Sequence, residues 1–86
     1  MQALIAFDST HHALRGEQLL LQAGLVIDII PTPREITASC GLTLSLAEAD
    51  LERAMMLLRE AGVDYRSIYH LETQHGSKSY QLRKEK

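Results

Sequence analysis

Cysteine occurs once in these 86 residues, and proline only twice, within the four-residue stretch Pro31-Thr32-Pro33-Arg34. A lone Cys40 cannot close an internal disulfide, so the fold does not depend on oxidation, and a self-contained dithiol redox centre of the Cys-x-x-Cys type is excluded. No apolar run approaches the ~20 residues of a bilayer span. The start, Met1 to Asp8, lacks the basic opening and small-residue cleavage site of a signal peptide, so a cytoplasmic location is expected. Neither sign of charge dominates. Nine Lys and Arg stand against eleven Asp and Glu, a net charge of -2. That balance argues against nucleic acid and against anionic membrane, both of which reward a cationic surface.

Motifs are scarce too. Gly-x-Gly-x-x-Gly, Walker-type phosphate loops, Gly-x-Ser-x-Gly and the His-x-x-x-His spacing of helical zinc sites are all missing. No cofactor and no metal are therefore expected. A chain of 86 residues, 45% hydrophobic, supports one core. It leaves little scaffold for a substrate pocket of the usual ~300 Å³ or more, which favours a carrier or binding role over a stand-alone enzyme.

What is present reads as alternating strands and helices. Met1–Phe7 is a short apolar strand, followed by Asp8-Ser9-Thr10, whose side chains suit a helix start. A helix is expected from about Thr10 to Ala23, stopped by Gly24. Leu25–Ile30 is a β-branched second strand closed by Pro31, and Leu42–Leu46 alternates as a half-buried third strand. Ser45 and Glu48 have capping-box spacing, which predicts a second helix running to about Ala61 before Gly62. A fourth strand is centred on Ile68, Tyr69 and Leu71. The order β-α-β-β-α-β predicts an α+β, ferredoxin-like sandwich with two helices on one face of a four-stranded antiparallel sheet. The expected domain covers residues 1–74. Residues 75–86 read as a polar, basic, flexible tail, in which Ser79–Leu82 has the makings of a short edge strand.

That topology carries the loop Pro31–Gly41 to the end of the sheet where the first helix begins and where the turn Gly62–Arg66 arrives. A helix N-terminus offers free N–H groups and partial positive charge, which favour a thiolate. Cys40 is thus the leading chemical candidate, with Arg34 in the same loop as a possible anion-stabilising cation and Gly41 allowing close backbone approach. A buried, weakly polar filler is the plain alternative for a single cysteine. His11 is a candidate base or hydrogen-bond partner for the thiol, although adjacent His11 and His12 also suit a first-turn surface. Glu17 falls on the wheel face of Ala13, Leu14, Leu20 and Leu21, where a carboxylate is costly unless partnered, so it is expected to brace the loop or to reach solvent at the helix edge.

The residues Phe7-Asp8-Ser9-Thr10-His11-His12-Ala13, Glu17, Pro31-Thr32-Pro33-Arg34-Glu35-Ile36 and Ser39-Cys40-Gly41 resemble the selenium/sulfur carrier protein-like family over about residues 3 to 70. The resemblance implies a Cys40 that holds sulfur or selenium as a persulfide or selenosulfide and passes it on. The implied partners are a protein donor and a protein acceptor. The loop and helix start add Arg34 and His11 as expected assisting residues and Ser9, Thr10, Glu17, Pro33 and Gly41 as support. The competing expectation is a non-enzymatic anion- or metabolite-binding regulatory module built on the same loop and helix start, with Cys40 dispensable. A third is an assembly protein that pairs through sheet edges or the apolar sheet face.

Overall fold

Central position in the sheet falls to the strand Gln2–Ala6, whose last four residues are buried. A computed structural model describes residues 1–85. Strand β1 (Gln2–Ala6) is followed by helix α1 (Thr10–Gln22), strands β2 (Ile27–Pro31) and β3 (Leu42–Ala47), a 3₁₀ turn at Glu48–Asp50, helix α2 (Leu51–Glu60), and strands β4 (Ser67–Gln74) and β5 (Ser77–Glu85). The strand order is β2-β3-β1-β4-β5 and every neighbouring pair is antiparallel. Its first four strands have the ferredoxin-like arrangement expected from the element order.

The helix-side core interleaves Ile5, Phe7, Leu44 and Ile68 of the sheet end with Ala13 and Leu20 of α1 and Ala54 and Leu58 of α2, all fully buried. Each large side chain among them contributes about 1.5–3 kcal/mol relative to exposure. Helix α1 lies close to the sheet because Gly16 faces it: an added Cβ there would sit 3.3 Å from Leu58 Cδ2 and 3.4 Å from Phe7 Cζ. The buried stripe is therefore Ala13, Gly16 and Leu20. Leu14 and Leu21, placed on that stripe by the wheel, are exposed.

Three expectations need correction. Ser45 does not cap α2. It lies inside β3, which is paired on both sides, and a two-sided ladder outweighs one side-chain cap. The chain enters α2 through the 3₁₀ turn, and Asp50 makes no side-chain capping bond. Strand β2 starts at Ile27 and ends on Pro31, a tolerable place for proline because β2 is an edge strand. The flexible tail expected for residues 75–86 is instead strand β5, paired with β4 from Gln74↔Ser77 to Ser67↔Glu85. Lys86 lies outside the described residues. A two-residue turn makes the hairpin: His75 and Gly76 both have positive φ, 51° and 82°, the geometry whose twist matches adjoining strands. Arg83 of β5 pairs with Glu48 Oε1, while His70 Nδ1 of β4 lies 3.0 Å from Oε2. Those contacts tie the fifth strand to the start of α2.

Candidate functional site

The loop between β2 and β3 is anchored at several points. Ile36 is 5% exposed and packs on Leu4 and Ala6, on the sheet face away from the helices. Its N–H donates to Pro33 O at 3.0 Å. Thr32 N–H donates to Gly41 O at 2.9 Å, closing the loop at its neck. The Thr32 hydroxyl donates to Cys40 O at 3.0 Å and lies 2.9 Å from the Thr43 hydroxyl. A hydroxyl carries one proton, so with Thr32's committed to the carbonyl, Thr43 is the donor between the two.

Cys40 sits where this loop meets the first helix. Its N–H donates to Phe7 O at 3.3 Å. Two groups address the sulfur: Leu42 N–H donates to Sγ at 3.3 Å, and Thr10 Oγ1 lies 3.6 Å from Sγ. Thr10 is the first residue of α1, after Ser9 as N-cap, whose Oγ accepts from His12 N–H at 3.3 Å. The sulfur thus stands at the electropositive helix opening. It is nonetheless only 4% exposed and packs with the helix-side core.

The remaining sequence candidates fall at different distances from this centre. Ser9 and Thr10 are in place, as cap and as sulfur neighbour. Arg34 is exposed and makes no hydrogen bond or ion pair among the described residues. His11 is exposed too; its ring packs edge-on against His12, centroids 5.8 Å apart, and makes no bond to Cys40. His12 is used elsewhere, its Nδ1 accepting from Asp64 N–H at 3.0 Å. Glu17 is half-buried without a hydrogen bond or ion pair to the loop among the described residues, because Gly16 takes the core-facing position next to it. Pro33 is half-buried. Gly41 is exposed and has open space where a Cβ would project, so neither close approach nor positive φ explains it.

Sequence reasoning passed over Asp8, Arg66 and Thr32. Asp8 Oδ1 accepts from Ser39 N–H at 3.1 Å and Oδ2 lies 3.6 Å from Arg66 NH1, while Arg66 N–H donates to Ala6 O at 2.7 Å. Asp8 had a visible signal as a polar residue ending a strand. Thr32 had none, since its role depends on the fold of the loop neck. Among the described residues no group of three His, Cys, Asp or Glu could hold a metal ion. No helix among them is long and apolar enough to cross a membrane.

The family model described as "Putative Se/S carrier protein-like" matches residues 2–70, from the start of β1 to the middle of β4. The chain belongs to this family. The matched span contains the whole Cys40 centre and both helices and leaves out β5, so β5 lies beyond the matched part of the Se/S carrier-like domain. No curated protein and no solved structure matches the chain.

Proposed function

We propose that this Se/S carrier-like protein carries one sulfur or selenium atom on Cys40 between a donor protein and an acceptor protein. The observation that supports this most directly is the setting of Cys40 Sγ, held between Leu42 N–H and the Thr10 hydroxyl at the first turn of α1, in a chain of that family. Both groups can donate to a sulfur anion, and the helix opening favours the same charge. Thr10, rather than His11 or Arg34, is the side chain in contact.

The exchange balances without any added oxidant. The Cys40 thiolate attacks the outer sulfur of a donor persulfide. The Cys40 S–S bond forms, the donor's S–S bond breaks, and the donor leaves as a thiolate that takes up the proton released from Cys40. A donor selenosulfide gives a Cys40 selenosulfide in the same way. An acceptor nucleophile then attacks the outer atom and returns Cys40 to the thiol. One cysteine suffices, because the other reacting groups belong to the partners. Cys40 is only 4% exposed and packs into the helix-side core, so each exchange requires the loop end that carries it to move away from that core.

The test is intact mass spectrometry after incubation with a persulfide-loaded cysteine desulfurase, followed by removal of the donor. The expected product is heavier by one sulfur atom on the wild type and unchanged on Cys40→Ser. Equal loading of both proteins, or of neither, refutes the reading.

A further inference from the structure

The sheet face turned away from the helices is not flat. The loop segment around Pro33–Ile36 rises on one side and Lys78 and Tyr80 of β5 rise on the other, leaving a groove of about 560 Å³. That volume is within the ~300–1,000 Å³ range of real ligand sites. Its floor includes Leu4 and Ser45, with Ile30 and Leu71 beside them. Strand register sets Asp28, Ser45 and Leu4 in one row across β2, β3 and β1, and sets Leu71 directly opposite Tyr80.

Ser45 is the telling residue. It is 6% exposed, lines the groove, and its hydroxyl makes no hydrogen bond to a described residue. A hydroxyl on the groove floor with no partner in the protein is available to bond an occupant. The Ser45 backbone belongs to a two-sided strand, and its side chain does not cap the helix.

The dimensions and charges describe an occupant. From β2 to β5 there are four inter-strand steps of ~4.8 Å, about 19 Å in all. Six extended residues at ~3.3 Å each cover the same length; a single amino acid or nucleotide base does not. Two carboxylates, Asp28 and Glu35, stand at the β2 side and one cation, Lys78, at the β5 side, all exposed.

We propose that this groove binds an extended peptide segment of the protein that exchanges sulfur or selenium with Cys40. The segment carries basic residues toward Asp28 and Glu35, apolar side chains over Leu4, Ile30 and Leu71, a polar group to Ser45, and an acidic end toward Lys78. Choice of partner rests on the carrier reading and on one contact: Thr32, which lines the groove, also holds the Cys40 carbonyl. An occupant of the groove therefore lies against the residue that holds the Cys40 carbonyl in place.

The probe is a synthetic hexapeptide, blocked at both ends, of sequence Arg-Lys-Val-Ile-Ser-Glu, titrated into ¹⁵N-labelled full-length protein. Saturable shifts are expected at Ile30, Thr32, Ser45, Leu71 and Tyr80. A neutral version, Gln-Gln-Val-Ile-Ser-Gln, is expected to bind about tenfold more weakly, the effect of losing a few exposed charge pairs. The double variant Asp28→Lys/Glu35→Lys, at two exposed positions, is expected to lose the basic peptide and to gain Glu-Glu-Val-Ile-Ser-Glu, which keeps an acidic end for the unchanged Lys78. No saturable shift at millimolar peptide, shifts on the helices instead, equal binding of the neutral version, or equally tight binding of free arginine overturns the proposal. Cys40→Ser is expected to bind the peptide unchanged, and loss of binding there would count against the groove. Failure of the carrier reading shows separately, as absence of chalcogen loading on a wild-type protein that still binds the peptide.

Discussion

The two faces of the sheet are built on different chemistry. The helix side is sealed by apolar contacts: Phe7, Leu20, Leu44, Leu58 and Ile68 have no exposure at all. The far side has only Leu4, Ala6 and Ile36 as its buried apolar centre. Around them lie the buried hydroxyls of Thr43, Ser45 and Ser67, and Ser67 Oγ has no partner among the described residues. Polar groups of this kind give up stability, and they are also what a face needs in order to recognise something. Cys40 stands at the seam. Its side chain packs with the helix-side core, while its loop folds over the other face through Ile36. Apolar sealing and buried polar residues thus fall on opposite sides of one sheet.

The largest expected effect belongs to the helix side. Phe7→Ala removes a fully buried ring beside Gly16, whose missing Cβ already fixes how near α1 comes. The backbone there is held, so the cavity closes poorly, and a loss of about 3–5 kcal/mol in urea unfolding is expected. Leu71→Ala, half-buried on the other face, is expected to cost about 1 kcal/mol. Equal losses at the two positions would erase the distinction between the faces.

Part of this division was readable in the sequence. The alternation of Leu42–Leu46 and the punctuation at Gly24, Pro31 and Gly62 were enough to order the elements and to bring the Cys40 loop to the start of α1. What failed was local inference overruled by pairing. Ser45 has the spacing of a cap, but β3 is claimed by two neighbours before the helix begins. The charge-rich run Ser77–Glu85 reads as a loose tail because an exposed edge strand has no apolar face to reveal it; the signal was Gly76 between two strand-compatible runs. The sulfur's neighbours followed the same pattern. Helix geometry alone put Thr10, Ser9 and His11 near the loop, but side-chain direction selected Thr10.

Thr32→Val sharpens the comparison at the seam itself. The variant keeps the shape and removes the donor to Cys40 O, leaving that carbonyl and the Thr43 hydroxyl without their partner. A stability loss of about 1–3 kcal/mol is expected. More telling is the rate of native-state alkylation by iodoacetamide. If the lost bond acts mainly on local opening, each ~1.4 kcal/mol raises the open population, and hence the rate, about tenfold. A lower urea midpoint with unchanged alkylation would show that the clamp serves the fold and not the access of the thiol.

Arg34→Ala is expected to do least. The guanidinium is exposed and bonds to nothing among the described residues, so the melting temperature should not move. The thiol's surroundings, Thr10, Leu42 N–H and the helix opening, do not include it. Alkylation of Cys40 in the variant should therefore match the wild type, whereas Thr10→Val should alter it and Thr10→Ser restore it. A several-fold slower reaction in Arg34→Ala would mean that the sulfur reacts only in an open state that brings Arg34 to it, and would transfer the anion-stabilising role from the first turn of α1 to the loop.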